Sequence, residues 1–318
     1  MQPLLLLLLL LARTAAVQGA VAESTVLLPD GANVTLFSPP RLRSKPPLVL
    51  ILRGLCAYDG FDAPFARVAA MQLRAVTALL TAPRSAASCS ACAAAVMANG
   101  GAPTAAAPAP APASCPAWDA NEACCQDTPR PGGDVAFVLR AIDVISQAAD
   151  AGPVHVVGFS AGGFMALRLA CEAPAGRIAG VVEYAGAATS ADDDAAASRS
   201  CTPAAPVPLQ MLHSRGDQQV VFSGGKGTIP GTRYAAANAT LLAWARRNRC
   251  AATPLVSSPL SLLPAASLAG SHANLTRVLF RDCEVPTAGW WLDGWGHFPP
   301  PHESTPLFLR ALQTNMGE

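Results

Sequence analysis

Gly158-Phe159-Ser160-Ala161-Gly162 reads as a sharp turn that lifts a serine clear of a sheet. Val154-His155-Val156-Val157 before it is a short, β-branched apolar run, which signals a strand. The stretch from Gly163 to Ala170 after it is helix-forming. Strand, turn and helix in that order are the setting in which Gly-x-Ser-x-Gly presents a nucleophile. Gly158 and Gly162 stand where the turn brings backbone against backbone and a Cβ has no room. Ala161 is the smallest side chain that still favours helix, and its N–H opens that helix toward the place where an oxyanion would form. The bland alternative is a glycine-rich turn carrying an idle serine.

Outward from this stretch, strands and helices alternate. Val26–Leu28 and Val34–Phe37 flank the turn signal Pro29-Asp30-Gly31, so an opening hairpin is expected. Leu48–Leu52 reads as a buried central strand, and Val76–Thr81, Ile178–Tyr184 and Leu209–His213 as further strands. Val278–Phe280 and Gly289–Leu292 are shorter candidates. Helices are expected over Phe65–Leu73, Asp134–Ala149, Tyr234–Arg249 and Thr305–Asn315, the second with Val135, Val138, Leu139, Ile142 and Ile145 along one side. This alternation implies an α/β class, a mostly parallel central sheet with helices on both faces. Residues 85–116 and 251–271 are rich in Ala, Pro and Ser and read as insertions within one catalytic domain spanning 23–318.

Composition narrows the function. The formal net charge is +1, and no basic stripe stands out, which argues against nucleic-acid binding. Leu4 to Ala12 is an unbroken apolar run followed by small residues, so residues 1–22 are expected to be a signal peptide, with no stable membrane span in the mature chain. Ten cysteines behind such a leader suggest disulfides, and Asn33-Val34-Thr35, Asn238-Ala239-Thr240 and Asn274-Leu275-Thr276 are glycosylation sequons, so a secreted glycoprotein is expected. Cys89-x-x-Cys92 has no second half at zinc spacing, so neither a metal nor a cofactor is expected.

A serine needs a base, and the base an orienting acid. In α/β-hydrolases, whose Gly-x-Ser-x-Gly elbow the stretch Gly158–Gly162 resembles, the chain order is Ser, acid, His. Asp217, in the loop after Leu209–His213, fits the acid, ahead of Asp192, Asp193 and Asp194 in a polar run and of Asp282 and Asp293. His297, in the glycine- and proline-bounded loop Gly294–Pro300, fits the base, ahead of His302 and His272. His155 and His213 read as structural. The catalytic set is therefore Ser160, Asp217 and His297. The oxyanion donors are the amides of Ala161 and of Leu55 or Cys56, after the early strand. Trp118, Trp290, Trp291 and Trp295 are candidates for an apolar substrate platform, with Trp118 and Trp295 foremost, against the reading that two of these are simply core.

These pieces together resemble the secreted polyhydroxybutyrate depolymerase and feruloyl esterase group of α/β-hydrolases. The resemblance rests on Pro47–Gly54, Trp118 with Cys124-Cys125, Gly133–Val138, Val157–Met165, His213–Asp217 and Trp295–Pro299, in that order. It implies an α/β-hydrolase fold, Ser160, Asp217 and His297 as the triad, ester hydrolysis through an acyl-enzyme, and a disulfide involving one of the adjacent cysteines near the active face. Two positions depart from that pattern. Arg53-Gly54 stands where the family usually has His-Gly, and Phe298-Pro299-Pro300 where it tends to have Trp-Pro-Gly. The sequence thus points to a secreted serine carboxylic-ester hydrolase acting on a polyester or on a feruloyl or acyl polysaccharide ester. The alternatives are a hydrolase-like binding protein without turnover, which Arg53 favours, and a peptidase of related fold.

Overall fold

A computed structural model describes residues 20–55, 59–85, 115–125, 133–188, 201–227, 231–257 and 274–317. Residues 1–19 of the expected leader, Cys56, Cys89, Cys92, Asp192–Asp194, His272 and most of the two insertions lie outside the described residues, while Ala22 at the leader's expected end opens the first strand. The strands are β1 (Ala22–Leu27), β2 (Asn33–Ser38), β3 (Leu48–Leu52), β4 (Val76–Leu80), β5 (Arg84–Ser85), β6 (Cys115–Pro116), β7 (Asp119–Asn121) and β8 (Cys124–Cys125). They continue as β9 (Val154–Phe159), β10 (Gly180–Tyr184), β11 (Leu209–Ser214), β12 (Gly225–Lys226), β13 (Arg233–Tyr234), β14 (Leu255–Ser257), β15 (Leu275–Leu279) and β16 (Thr287–Leu292). The helices are α1 (Asp59–Leu73), α2 (Gly133–Ala149), α3 (Ala161–Glu172), α4 (Ala237–Arg247) and α5 (Pro301–Met316).

Ten strands form one sheet in the order β1-β2-β4-β3-β9-β10-β11-β16-β15-β14. The six from β4 to β16 run parallel, and an antiparallel pair closes each edge. Every residue of the six parallel strands is buried, as expected of a sheet covered on both faces. Helix α2 buries Val135, Val138, Ile142 and Ile145, the stripe its sequence draws at helical spacing. Helix α5 opens with Pro301 at its first position and ends on Gly317 at φ 78°, a left-handed stop.

The expected strands and helices are present, with shifted ends. Helix α1 begins at Asp59 rather than Phe65, and Pro64 lies inside it, where it removes a single backbone hydrogen bond. Helix α4 begins at Ala237 because Tyr234 belongs to the β12–β13 ribbon. The described part of the second insertion contains a strand: Leu255–Ser257 pairs with β15 and forms the sheet edge. Its Leu and Val are exposed, so no hydrophobic pattern marks it.

Close approach of α3 to the sheet sets the geometry of the centre. A Cβ on Gly162 would lie 2.0 Å from the Leu52 carbonyl oxygen, and one on Gly158 would lie 2.2 Å from the Gly162 carbonyl oxygen. Only glycine at both positions lets α3 start directly against the ends of β3 and β9.

Candidate active site

Ser160 joins β9 to α3 with φ 53° and ψ −120°, a backbone conformation that costs a non-glycine residue of order 1–3 kcal/mol. The turn is held there by packing and by its own hydrogen bonds. Ser160 N–H donates to the Tyr184 carbonyl at 2.8 Å, and the Ser160 carbonyl accepts from Gly163 N–H at 2.8 Å and Phe164 N–H at 3.1 Å. The side chain is thereby presented at the carboxyl ends of the parallel strands, where ligands bind in open α/β sheets.

Asp217 and His297 meet it there, from loops after β11 and β16. His297 Nε2 lies 2.9 Å from Ser160 Oγ, and His297 Nδ1 lies 2.8 Å from Asp217 Oδ2. Both contacts are satisfied when Nδ1 carries the proton and donates to the carboxylate, leaving Nε2 to accept from the serine hydroxyl. The other oxygen of Asp217 accepts from Gln219 N–H at 2.8 Å and Val220 N–H at 2.9 Å. Asp217 and His297 are 3% and 6% exposed, so their contact is shielded from water.

Neighbours that the sequence did not single out hold the two loops. Tyr184 Oη donates to the Gly296 carbonyl at 3.0 Å, one residue before the histidine. Burial raises the Tyr184 phenol well above its ordinary value, with Asp217 and Glu183 adding to the effect, so it stays a donor. Ser214 Oγ–H donates to the Trp295 carbonyl, tying the acid loop to the base loop. Gly216 is needed at that junction, because a Cβ there would stand 2.6 Å from the same carbonyl oxygen. His213 is buried behind the acid, with Nε2 2.7 Å from the Val220 carbonyl. Burial lowers its pKa, which favours the neutral ring that donates this one hydrogen bond.

A cavity of about 170 Å³ opens in front of the serine. Leu55, Phe159, Ala161, Phe164, Val220 and Phe298 supply most of its apolar wall. The expected oxyanion residues Leu55 and Ala161 are thus both on the cavity, and their amides have no acceptor among the described residues. Ala161 is the first residue of α3, so its N–H is one of the free helix-end donors. Cys124 and Cys125 are joined as a disulfide and also line the cavity. Cys171 pairs with Cys201, and Cys250 with Cys283. The described residues contain no cluster of His, Cys, Asp and Glu that could hold a metal ion.

The expected tryptophan platform is absent from the cavity. Trp118 is wholly buried, and its Nε1–H donates to the Arg53 carbonyl at 2.8 Å, beneath the loop that carries Leu55. Trp295 is 8% exposed and donates Nε1–H to Glu303 Oε2 at 2.9 Å, anchoring the base loop to α5. Trp290 and Trp291 are core. A buried indole finds a partner for its N–H, and here the partners are structural. Arg53, the departure noted above, does not line the cavity either. Its Nε bonds Asp62 Oδ2 at 3.0 Å and its Nη1 bonds Thr81 Oγ1 at 3.3 Å. Burial raises the Asp62 pKa, and the guanidinium offsets this by hydrogen bonding and charge. The side chain thus packs behind the loop and leaves its front face open.

No family model matches the chain. Over 109 residues, 34% of the chain, it is 35% identical to a protein of Nocardia uniformis subsp. tsuyamanensis named "Putative esterase NocK", and the match spans 30% of that protein's length. Among solved structures, the poly(3-hydroxybutyrate) depolymerase LpqC of Bordetella parapertussis is similar with a TM-score of 0.51 at 17% identity, over 94% of this chain and 90% of that one. The poly(aspartic acid) hydrolase-1 of Sphingomonas sp. KT-1 gives 0.50 at 10% identity, over 92% and 98%. A puromycin-hydrolyzing peptidase of Mycobacterium tuberculosis gives 0.51 at 12% identity, over 93% of this chain and 39% of that one. With the sheet order and its helices, these likenesses give the chain the α/β-hydrolase fold.

Proposed function

We propose that the chain is a serine carboxylic-ester hydrolase, secreted as a glycoprotein, with Ser160 as nucleophile, His297 as general base and Asp217 as the orienting acid. The observation that carries this reading is the unbroken hydrogen-bond relay from Ser160 Oγ through His297 to Asp217 at 2.9 and 2.8 Å, facing an apolar cavity. In the first step His297 Nε2 takes the hydroxyl proton as Ser160 Oγ attacks the ester carbonyl. The negative charge moves to the carbonyl oxygen, which the amides of Ala161 and Leu55 receive. As the tetrahedral species collapses, His297 gives the proton to the departing alkoxide and an acyl-serine remains. Water, deprotonated by the same ring, then attacks the acyl carbon, and the carboxylic acid and free serine are regenerated.

Asp217 orients the imidazole: its first oxygen faces Nδ1, and its second is held by two backbone N–H groups. The apolar wall suits an acyl chain or an aromatic acid, so polyhydroxyalkanoate-type polyesters and feruloyl esters are the substrate classes to try first. The packing of Arg53 behind the loop supports turnover over a purely binding role. Steady-state hydrolysis of short-chain nitrophenyl esters, feruloyl esters and polyhydroxybutyrate tests the reading. Turnover of at least one class, lost in Ser160→Ala, is expected; full turnover in that variant refutes it.

A further inference from the structure

We infer that the site takes esters bearing a carboxylate away from the scissile bond, and that Lys226 at the cavity rim receives it. This deepens the hydrolase reading above and rests on it. Among the described residues that line the cavity, Lys226 is the only Lys or Arg, and no Asp or Glu is among them. Asp217 is buried behind the serine and histidine and does not line the cavity.

A second observation points the same way. Lys226 stands directly opposite Arg233 across the antiparallel ribbon β12–β13. Both residues are exposed, and neither side chain has an ion-pair or hydrogen-bond partner among the described residues. Like charges placed opposite each other weaken a strand pair. A two-stranded ribbon of two residues each has little pairing energy to spare for that, so the pair makes physical sense if an anion lies between them.

The ribbon is also fixed relative to the catalytic loop. Tyr234 Oη accepts from Val221 N–H at 2.7 Å, next to the amide that binds Asp217. Gly227 N–H donates to the Thr232 carbonyl at 2.9 Å, and a Cβ on Gly227 would stand 2.5 Å from the Ala123 carbonyl oxygen. These contacts on both sides fix the ribbon, with Lys226 on the same cavity as Cys124 and Cys125. The apolar lining reduces screening of any charge that enters.

The test compares 4-nitrophenyl hydrogen glutarate with its neutral methyl ester, which has the same acyl chain and leaving group. A second pair carries the carboxylate on the alcohol part instead. The quantity read is the ratio of kcat/KM, anionic over neutral, which cancels differences in active enzyme. The expected ratio favours the anion by about fivefold in one of the pairs, the scale of a partly exposed charge pair. It is expected to fall toward one in Lys226→Met, to drop below one in Lys226→Glu, and to shrink at about 0.5 M sodium chloride. A ratio of one or less in the wild type for both pairs, or a ratio untouched by Lys226→Met, overturns the inference while leaving the hydrolase reading intact. If no ester is turned over, the hydrolase reading fails instead. Calorimetric titration with monobutyl glutarate then decides the anion site: weaker binding to Lys226→Met supports it, and equal binding overturns it.

Discussion

Trp118→Phe separates a residue that supports the oxyanion loop from one that touches substrate. The indole is fully buried, and its Nε1–H meets the Arg53 carbonyl at 2.8 Å. Phenylalanine removes that donor from the Arg53 carbonyl, a loss of about 1–3 kcal/mol. The missing part of the ring leaves a small void that adds about 1 kcal/mol. A total destabilisation of about 2–4 kcal/mol follows, measurable by urea unfolding. The kinetic effect is bounded by the worth of the Leu55 amide. Losing one oxyanion donor outright costs about 3 kcal/mol, roughly a hundredfold in kcat. A loosened donor costs less, so kcat on a nitrophenyl ester is expected to fall between about tenfold and a hundredfold. KM is expected to stay nearly constant, because the ring does not line the cavity. A raised KM at unchanged kcat would refute the reasoning and restore Trp118 to the substrate surface. Unchanged stability would refute the hydrogen-bond part of it.

Gly162→Ala places a Cβ 2.0 Å from the Leu52 carbonyl oxygen, so the end of β3 must move by about 1 Å to reach a normal contact; kcat should fall by about a hundredfold, and wild-type kinetics would contradict the packing described. Burial lowers the His155 pKa to about 4, so between that value and 6.5 the unfolded chain binds a proton that the folded chain does not. Stability is therefore full above pH 6.5 and falls as the pH drops, by about 2 kcal/mol at pH 5 from this residue alone. Urea unfolding at pH 7 and pH 5 measures the loss, and His155→Leu should reduce it; an identical pH slope in the variant would rule the assignment out. Asn33, Asn238 and Asn274 are all exposed, so protein secreted from a eukaryotic host should shift in mobility on treatment with peptide N-glycosidase, and the absence of any shift counts against the secretory route.

Much of this was legible because a few residue types have only one use in such a sheet. Gly158, Ser160 and Gly162 announce their own backbone geometry, and the all-apolar run at β3 and the largely apolar one at β9 announce burial on both faces. The loop settings of Asp217 and His297 likewise follow from local turn chemistry. What stayed hidden depends on distant partners. A tryptophan reads the same whether its ring faces a ligand or its N–H reaches a carbonyl 65 residues away, as Trp118 does. Arg53 looked like damage to the oxyanion loop until Asp62 and Thr81 were seen to hold its side chain behind it. Tyr184 carries no sequence signal for its bond to Gly296, 112 residues on. The short ribbon that sets Lys226 opposite Arg233 lacks any hydrophobic period by which to recognise it.

Labelling with a fluorophosphonate and mapping the adduct by mass spectrometry tests the central claim most directly. An activated serine is expected to carry a single adduct on Ser160, formed rapidly in the wild type and absent from folded Ser160→Ala. An adduct on another residue, or a folded wild-type protein that takes no label, would contradict it.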